Sequence, residues 1–153
     1  MRLSANFTLA EFTKSQTATR KGLDNTPGDE HLANAKELFA SVVQPVREHF
    51  GVTVINSGYR GLALNEAVGG STKSQHCKGE AVDIECPGTG NYDVAKWIES
   101  NLDFDQLILE FYTPGIPDSG WVHVSYKTEG NRKQSLTAMK EDGKTVYKPE
   151  LIQ

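Results

Sequence analysis

The chain has 153 residues, 37% hydrophobic and 24% charged, the proportions of a globular protein with enough length for one real core. A net charge of -4, a pI near 5.6 and scattered basic residues exclude a general nucleic-acid binder, which needs clustered Lys and Arg. No apolar run approaches the roughly 20 residues of a membrane span, and Cys77 and Cys86 make neither a disulfide framework nor a Cys-rich zinc pattern.

The first residues, "MRLSANFTLAEF", lack the apolar centre of a signal peptide, so synthesis and storage in a cytoplasm are expected. "FTLAEFTKSQTATRKGLDNTP" is polar and turn-rich after Phe7, Leu9 and Phe12, which predicts a surface wrap with a few hydrophobic anchors. A helix should follow, capped by Thr26, with Pro27 at its first position and Asp29 and Glu30 at its positive end. Leu32, Ala35, Leu38, Phe39, Val42, Val46 and Phe50 recur at helical spacing as a core-facing stripe, and Pro45 should kink the helix or mark the start of its last turn. Strands are expected at "VTVIN" (52–56), "AVDIE" (81–85), "DQLILEF" (105–111) and "WVHVSY" (121–126), with a short helix capped by Asn91 after the second. "LTAMK" and "KTVYK" around Glu141-Asp142-Gly143 read as a closing hairpin. Helices first and hairpin-linked strands later predict a single α+β domain over 1–153, with a mostly antiparallel sheet and flanking helices.

Strand alternation then sorts the polar residues. Val82, Ile84, Val122 and Val124 form the apolar set, so Asp83 and His123 should lie on the opposite side, where a cleft can form. In "DQLILEF", the set Leu107, Leu109 and Phe111 is the more apolar, which sends Gln106, Ile108 and Glu110 to the cleft. His76 and Asp83 stand seven positions apart in "STKSQHCKGEAVDIE". Two histidines and one aspartate are a catalytic zinc set that leaves the fourth coordination position open. A structural loop and one buried strand is the competing reading. His31 and His49 are expected at the surface, and Cys77, next to a ligand on an extended chain, should point away from the metal.

"SQHCKGEAVDIE" matches the S-x-H-x(6)-D motif of the zinc D-Ala-D-Ala peptidase family, and "GWVHVSY" resembles the segment carrying that family's third ligand. "SGYRGLALNEAVGGSTKSQH" is similar to the run before the first ligand in small murein peptidases, and "FTLAEFTKSQTATRKGLDNTP" to the start of phage and prophage members. The resemblance extends from about Phe7 to Tyr126. It implies the fold shared with hedgehog amino-terminal domains, one Zn2+ per chain on His76, Asp83 and His123, and bacterial cell-wall peptides as substrate. Arg60, ending "SGYR", matches the family's substrate-side arginine, able to hold a carboxylate or stabilise an oxyanion. Ser74 is expected either to hydrogen-bond near metal or substrate or to cap a turn.

The general base departs from the family's better-known pattern. The position three before the last histidine, a glutamate in several branches, is Gly120 here; the position five before, used in others, is Asp118. Glu110 is the other candidate and the favoured one, because a strand positions a carboxylate better than a Pro/Gly-rich loop. The expected function is zinc-dependent hydrolysis of a peptidoglycan stem or cross-link bond, in a monomeric phage-type endolysin that waits in the host cytoplasm and acts on the wall after release; a prophage remnant or a cytoplasmic muropeptide-recycling enzyme fits the same residues. D-Ala-D-Ala carboxypeptidase, cross-link endopeptidase and L-Ala-D-Glu endopeptidase activities remain open. The alternative is a non-hydrolytic peptidoglycan- or protein-binding module that keeps the fold.

Overall fold

In the computed structural model, which describes residues 1–71 and 73–153, the chain begins with a two-stranded ribbon, β1 (Arg2–Ser4) and β2 (Phe7–Thr8). Two short helices follow, α1 (Leu9–Thr13) and α2 (Gln16–Lys21), so the expected surface wrap contains regular turns. Their caps explain why they form. Thr8 and Glu11 make a reciprocal capping box, Ser15 accepts from the Ala18 N–H, and Gly22 closes α2 in the left-handed region. Phe7 and Phe12 are the anchors, and the Phe12 ring meets Phe39 edge-on at 5.3 Å.

The expected long helix is three pieces: α3 (Asp29–Leu38), a π-helical turn (Phe39–Val43) and α4 (Gln44–Phe50). Thr26 does not cap it. Gly28 occupies that position without a side-chain bond, and the Thr26 N–H is held by Asp24. Pro45 brings no N–H to the ladder, and the wider turn just ahead of it lets the helix continue past that gap. The apolar stripe is buried as its spacing requires, with Ala35, Leu38, Phe39, Val42 and Val46 inaccessible to solvent.

The remaining elements are β3 (Val54–Ser57), α5 (Leu62–Ala67), a 3-10 turn (Gln75–Lys78), β4 (Ala81–Glu85), α6 (Asn91–Asn101), β5 (Gln106–Glu110), β6 (Trp121–Ser125), β7 (Gln134–Glu141) and β8 (Lys144–Pro149). Six of the strands form one sheet in the order β3-β4-β6-β5-β7-β8; its only parallel pair is β5 with β7. The fold is thus a single α+β domain with a mixed, mostly antiparallel sheet and flanking helices. Asn91 is the first residue of α6 rather than its cap, which is Gly90; its side-chain amide donates to Ser119 and Gly120 carbonyls and to Glu85.

Val82, Ile84, Leu107, Leu109, Val122 and Val124 pack into one core with the α3–α4 stripe and with Val94, Ala95 and Ile98 of α6. Alternation therefore leaves Asp83, His123, Ile108 and Glu110 on the opposite face of the sheet. Phe111 does not extend the core set. Its φ of 55° ends β5, and its ring lies beside Trp121 with centroids 5.5 Å apart. Among the described residues no helix is long and apolar enough to cross a membrane.

Candidate metal centre

The pairing of β4 with β6 puts Asp83 directly opposite His123, and the Asp83 Oδ1 lies 3.0 Å from His123 Nδ1. His76 arrives from the 3-10 turn before β4, its Nε2 3.5 Å from the same oxygen. Ligand atoms of the three residues lie within 4.8 Å of one another. The local chain is coiled there, not extended as expected, and Cys77 is buried outside this cluster. Cys77 and Cys86 are both free thiols.

His76 is 3% exposed, and its Nδ1 lies 2.8 Å from the Gly58 carbonyl oxygen. A carbonyl only accepts, so Nδ1 carries a hydrogen and Nε2 is the nitrogen that faces the cluster. Two imidazoles and a carboxylate converging in this way fit zinc, and a backbone partner behind the ring is a common way to orient a histidine ligand. Burial pushes Asp83 toward its neutral form, but the His123 hydrogen bond and the neighbouring His76 outweigh it and hold the carboxyl well below the usual carboxylate range.

The carbonyl that orients His76 is itself held from several sides. Tyr59 N–H donates to Phe12 O at 2.8 Å, and the Asn25 amide donates to Tyr59 O at 2.8 Å while its oxygen accepts from Gly61 N–H at 2.7 Å. A Cβ at Gly58 would collide with the Phe12 carbonyl, so only glycine lets this loop pass so close to α1. Nothing in the sequence marks Asn25 for this role beyond its place in a turn-rich stretch.

Arg60 and Glu110 border the same cleft as the histidine–aspartate cluster. Arg60 Nη2 donates to Ser74 Oγ at 3.3 Å, and that oxygen also accepts from the His76 N–H at 3.2 Å, so Ser74 both caps the turn and touches the arginine. Arg60 Nε is a buried donor with no hydrogen-bond partner among the described residues, and the Trp121 side chain favours the ionised form of Glu110. Burial, reinforced by the Asp83 charge, raises the Glu110 pKa. Asp118 is exposed on the β5–β6 loop and does not border the cleft. His49 is exposed and stacked on Trp97, whereas His31, expected at the surface, is half-buried and shares a hydrogen bond with Tyr59 Oη at 3.0 Å.

Gly120 has φ of 66°, and a Cβ there would overlap the Glu110 carbonyl oxygen. In this chain the position three before His123 therefore has no room for a glutamate. The carboxylate that reaches the cleft comes from β5.

The family model described as Peptidase M15 matches residues 5–125, and the chain belongs to that family. No curated protein matches the sequence significantly.

Proposed function

We propose that this Peptidase M15 chain is a zinc metallopeptidase that hydrolyses a stem or cross-link peptide bond of bacterial peptidoglycan, acting as a phage-type endolysin. The reading rests on one observation above all: His76, Asp83 and His123 converge in the cleft that Glu110 and Arg60 also border. His76 Nε2, an Asp83 carboxylate oxygen and His123 Nδ1 are the atoms that would hold the ion. Bound there, zinc supplies a Lewis acid that polarises the scissile carbonyl and makes water a better nucleophile.

The chain's own groups do the rest. Arg60 holds a substrate carboxylate or the developing oxyanion, with Ser74 steadying the guanidinium. Glu110 takes a proton from the attacking water as its oxygen bonds to the carbonyl carbon, and returns it to the amine nitrogen as the C–N bond breaks.

Mass spectrometry of purified peptidoglycan digested with the protein tests this directly. New free termini would identify the bond as D-Ala-D-Ala, cross-link or L-Ala-D-Glu. An unchanged digest with bound protein would favour the non-hydrolytic module instead.

A further inference from the structure

Arg132, on the connection from β6 to β7, borders the cleft across the metal cluster from Arg60. Its Nε and Nη2 donate to the two Asp105 carboxylate oxygens at 3.0 and 2.8 Å, and its backbone N–H adds a third bond at 3.0 Å. Asp105 is fully buried at the start of β5, with its own backbone tied to Ser125 and Gln134. A fork gripped on one edge by a buried carboxylate cannot swing, whereas its Nη1 amino group makes no hydrogen bond to a described residue. The side chain keeps about half its surface open, at 52%. Such a guanidinium is pre-organised to take a second carboxylate.

The cleft is less negative than the chain as a whole. The chain carries -4 overall, yet Arg60, Lys73 and Arg132 against Asp83, Glu110 and the Asp105 paired with Arg132 leave the cleft about balanced before any metal is counted. Arg60 follows β3 and Arg132 precedes β7, and β4, β6 and β5 separate those strands. Four strand spacings are roughly 19 Å between backbones, and the long side chains shorten that gap. A substrate bridging both arginines therefore spans at most about five extended residues.

Resting on the proposed peptidoglycan-peptidase reading, we propose that Arg132, braced by Asp105, is a substrate-binding residue that holds a second carboxylate on the far side of the metal cluster from Arg60. The substrate class is then a stem peptide with two free carboxylates at the two ends of the cleft. Tyr147 of β8 borders the same end of the cleft.

The test uses L-Ala-γ-D-Glu-L-Lys-D-Ala-D-Ala and two derivatives, amidated at the D-Glu α-carboxylate or at the carboxyl terminus. Affinities are measured by calorimetry on the full chain carrying Glu110→Gln, so binding is read whether or not the protein hydrolyses the peptide. One amidation should weaken binding about tenfold or more, the scale of a lost hydrogen-bonded charge. Arg132→Gln should weaken the free peptide similarly and erase the effect of that amidation alone, which identifies the carboxylate held. Asp105→Asn/Arg132→Gln removes both charges and serves if the single variant is unstable. In the hydrolysing protein the Arg132 change should raise KM with kcat kept. Equal binding of all three peptides within twofold, or full discrimination surviving in the arginine variants, overturns the proposal. Hydrolysis without carboxylate discrimination would sink Arg132 and leave the peptidase reading standing; discrimination without hydrolysis would do the reverse.

Discussion

Asp83 and His123 face each other across neighbouring antiparallel strands, 3.0 Å apart, while His76 reaches the same carboxylate oxygen from a turn held by the Gly58 carbonyl. Two of the three groups are thus placed by sheet register and the third by a loop. A cation between them would tie the turn to both strands, so metal removal should matter for the fold as well as for chemistry. Metal analysis of protein prepared without chelators should find about one zinc per chain. Chelation should lower the melting temperature, and added zinc should restore it by mass action. His76→Ala, Asp83→Ala and His123→Ala should each lose most of the metal. Metal-free wild type, or full activity in strong chelator, rules the site out.

Arg60→Lys keeps the charge and loses the planar fork. If Arg60 clamps a carboxylate or oxyanion, kcat/KM should fall by about tenfold or more, with zinc content and melting temperature close to wild type. Unchanged turnover in the lysine variant would demote Arg60 to a structural partner of Ser74.

Glu110→Gln preserves shape and removes the proton acceptor. We expect it to keep zinc and fold while kcat falls on the order of 10² to 10⁴. Asp118→Asn, outside the cleft on an exposed loop, should cost far less. The opposite ranking would transfer the role of base to Asp118, with its loop closing over substrate.

Asp105 lends itself to a pH experiment away from the metal. The Arg132 bonds hold its pKa at about 2, below the ordinary carboxylate value of 3.8. A depressed pKa means the ionised form is favoured by folding, so this stabilisation is complete above roughly pH 4 and fades as pH falls toward 2. Asp105→Asn should cost about 1.5–3 kcal/mol near neutrality. In thermal melts the gap between wild type and variant should stay constant from pH 7 to 5 and narrow below 4. A gap that persists undiminished at the lowest pH would show that packing, not the ion pair, carries the effect.

Much of the site was legible in the sequence because it depends on local periodicity. A strand turns alternate side chains to opposite faces, so the valines around Asp83 and His123 declared which way the polar residues point, and Leu107 and Leu109 did the same for Glu110. The helical stripe from Ala35 to Val46 was readable for the same reason. What the tertiary structure decided is non-local or hangs on a single backbone torsion. The start of the long helix at Gly28 and the π turn before Pro45 depend on competing backbone bonds. The support of His76 by Gly58, and of that loop by Asn25 and Phe12, joins segments with no shared period. Phe111 and Gly120 leave the alternation because their φ angles are positive. The Arg132–Asp105 fork joins residues 27 positions apart. Periodicity reports which face a side chain takes; only the packed chain reports which distant group waits there.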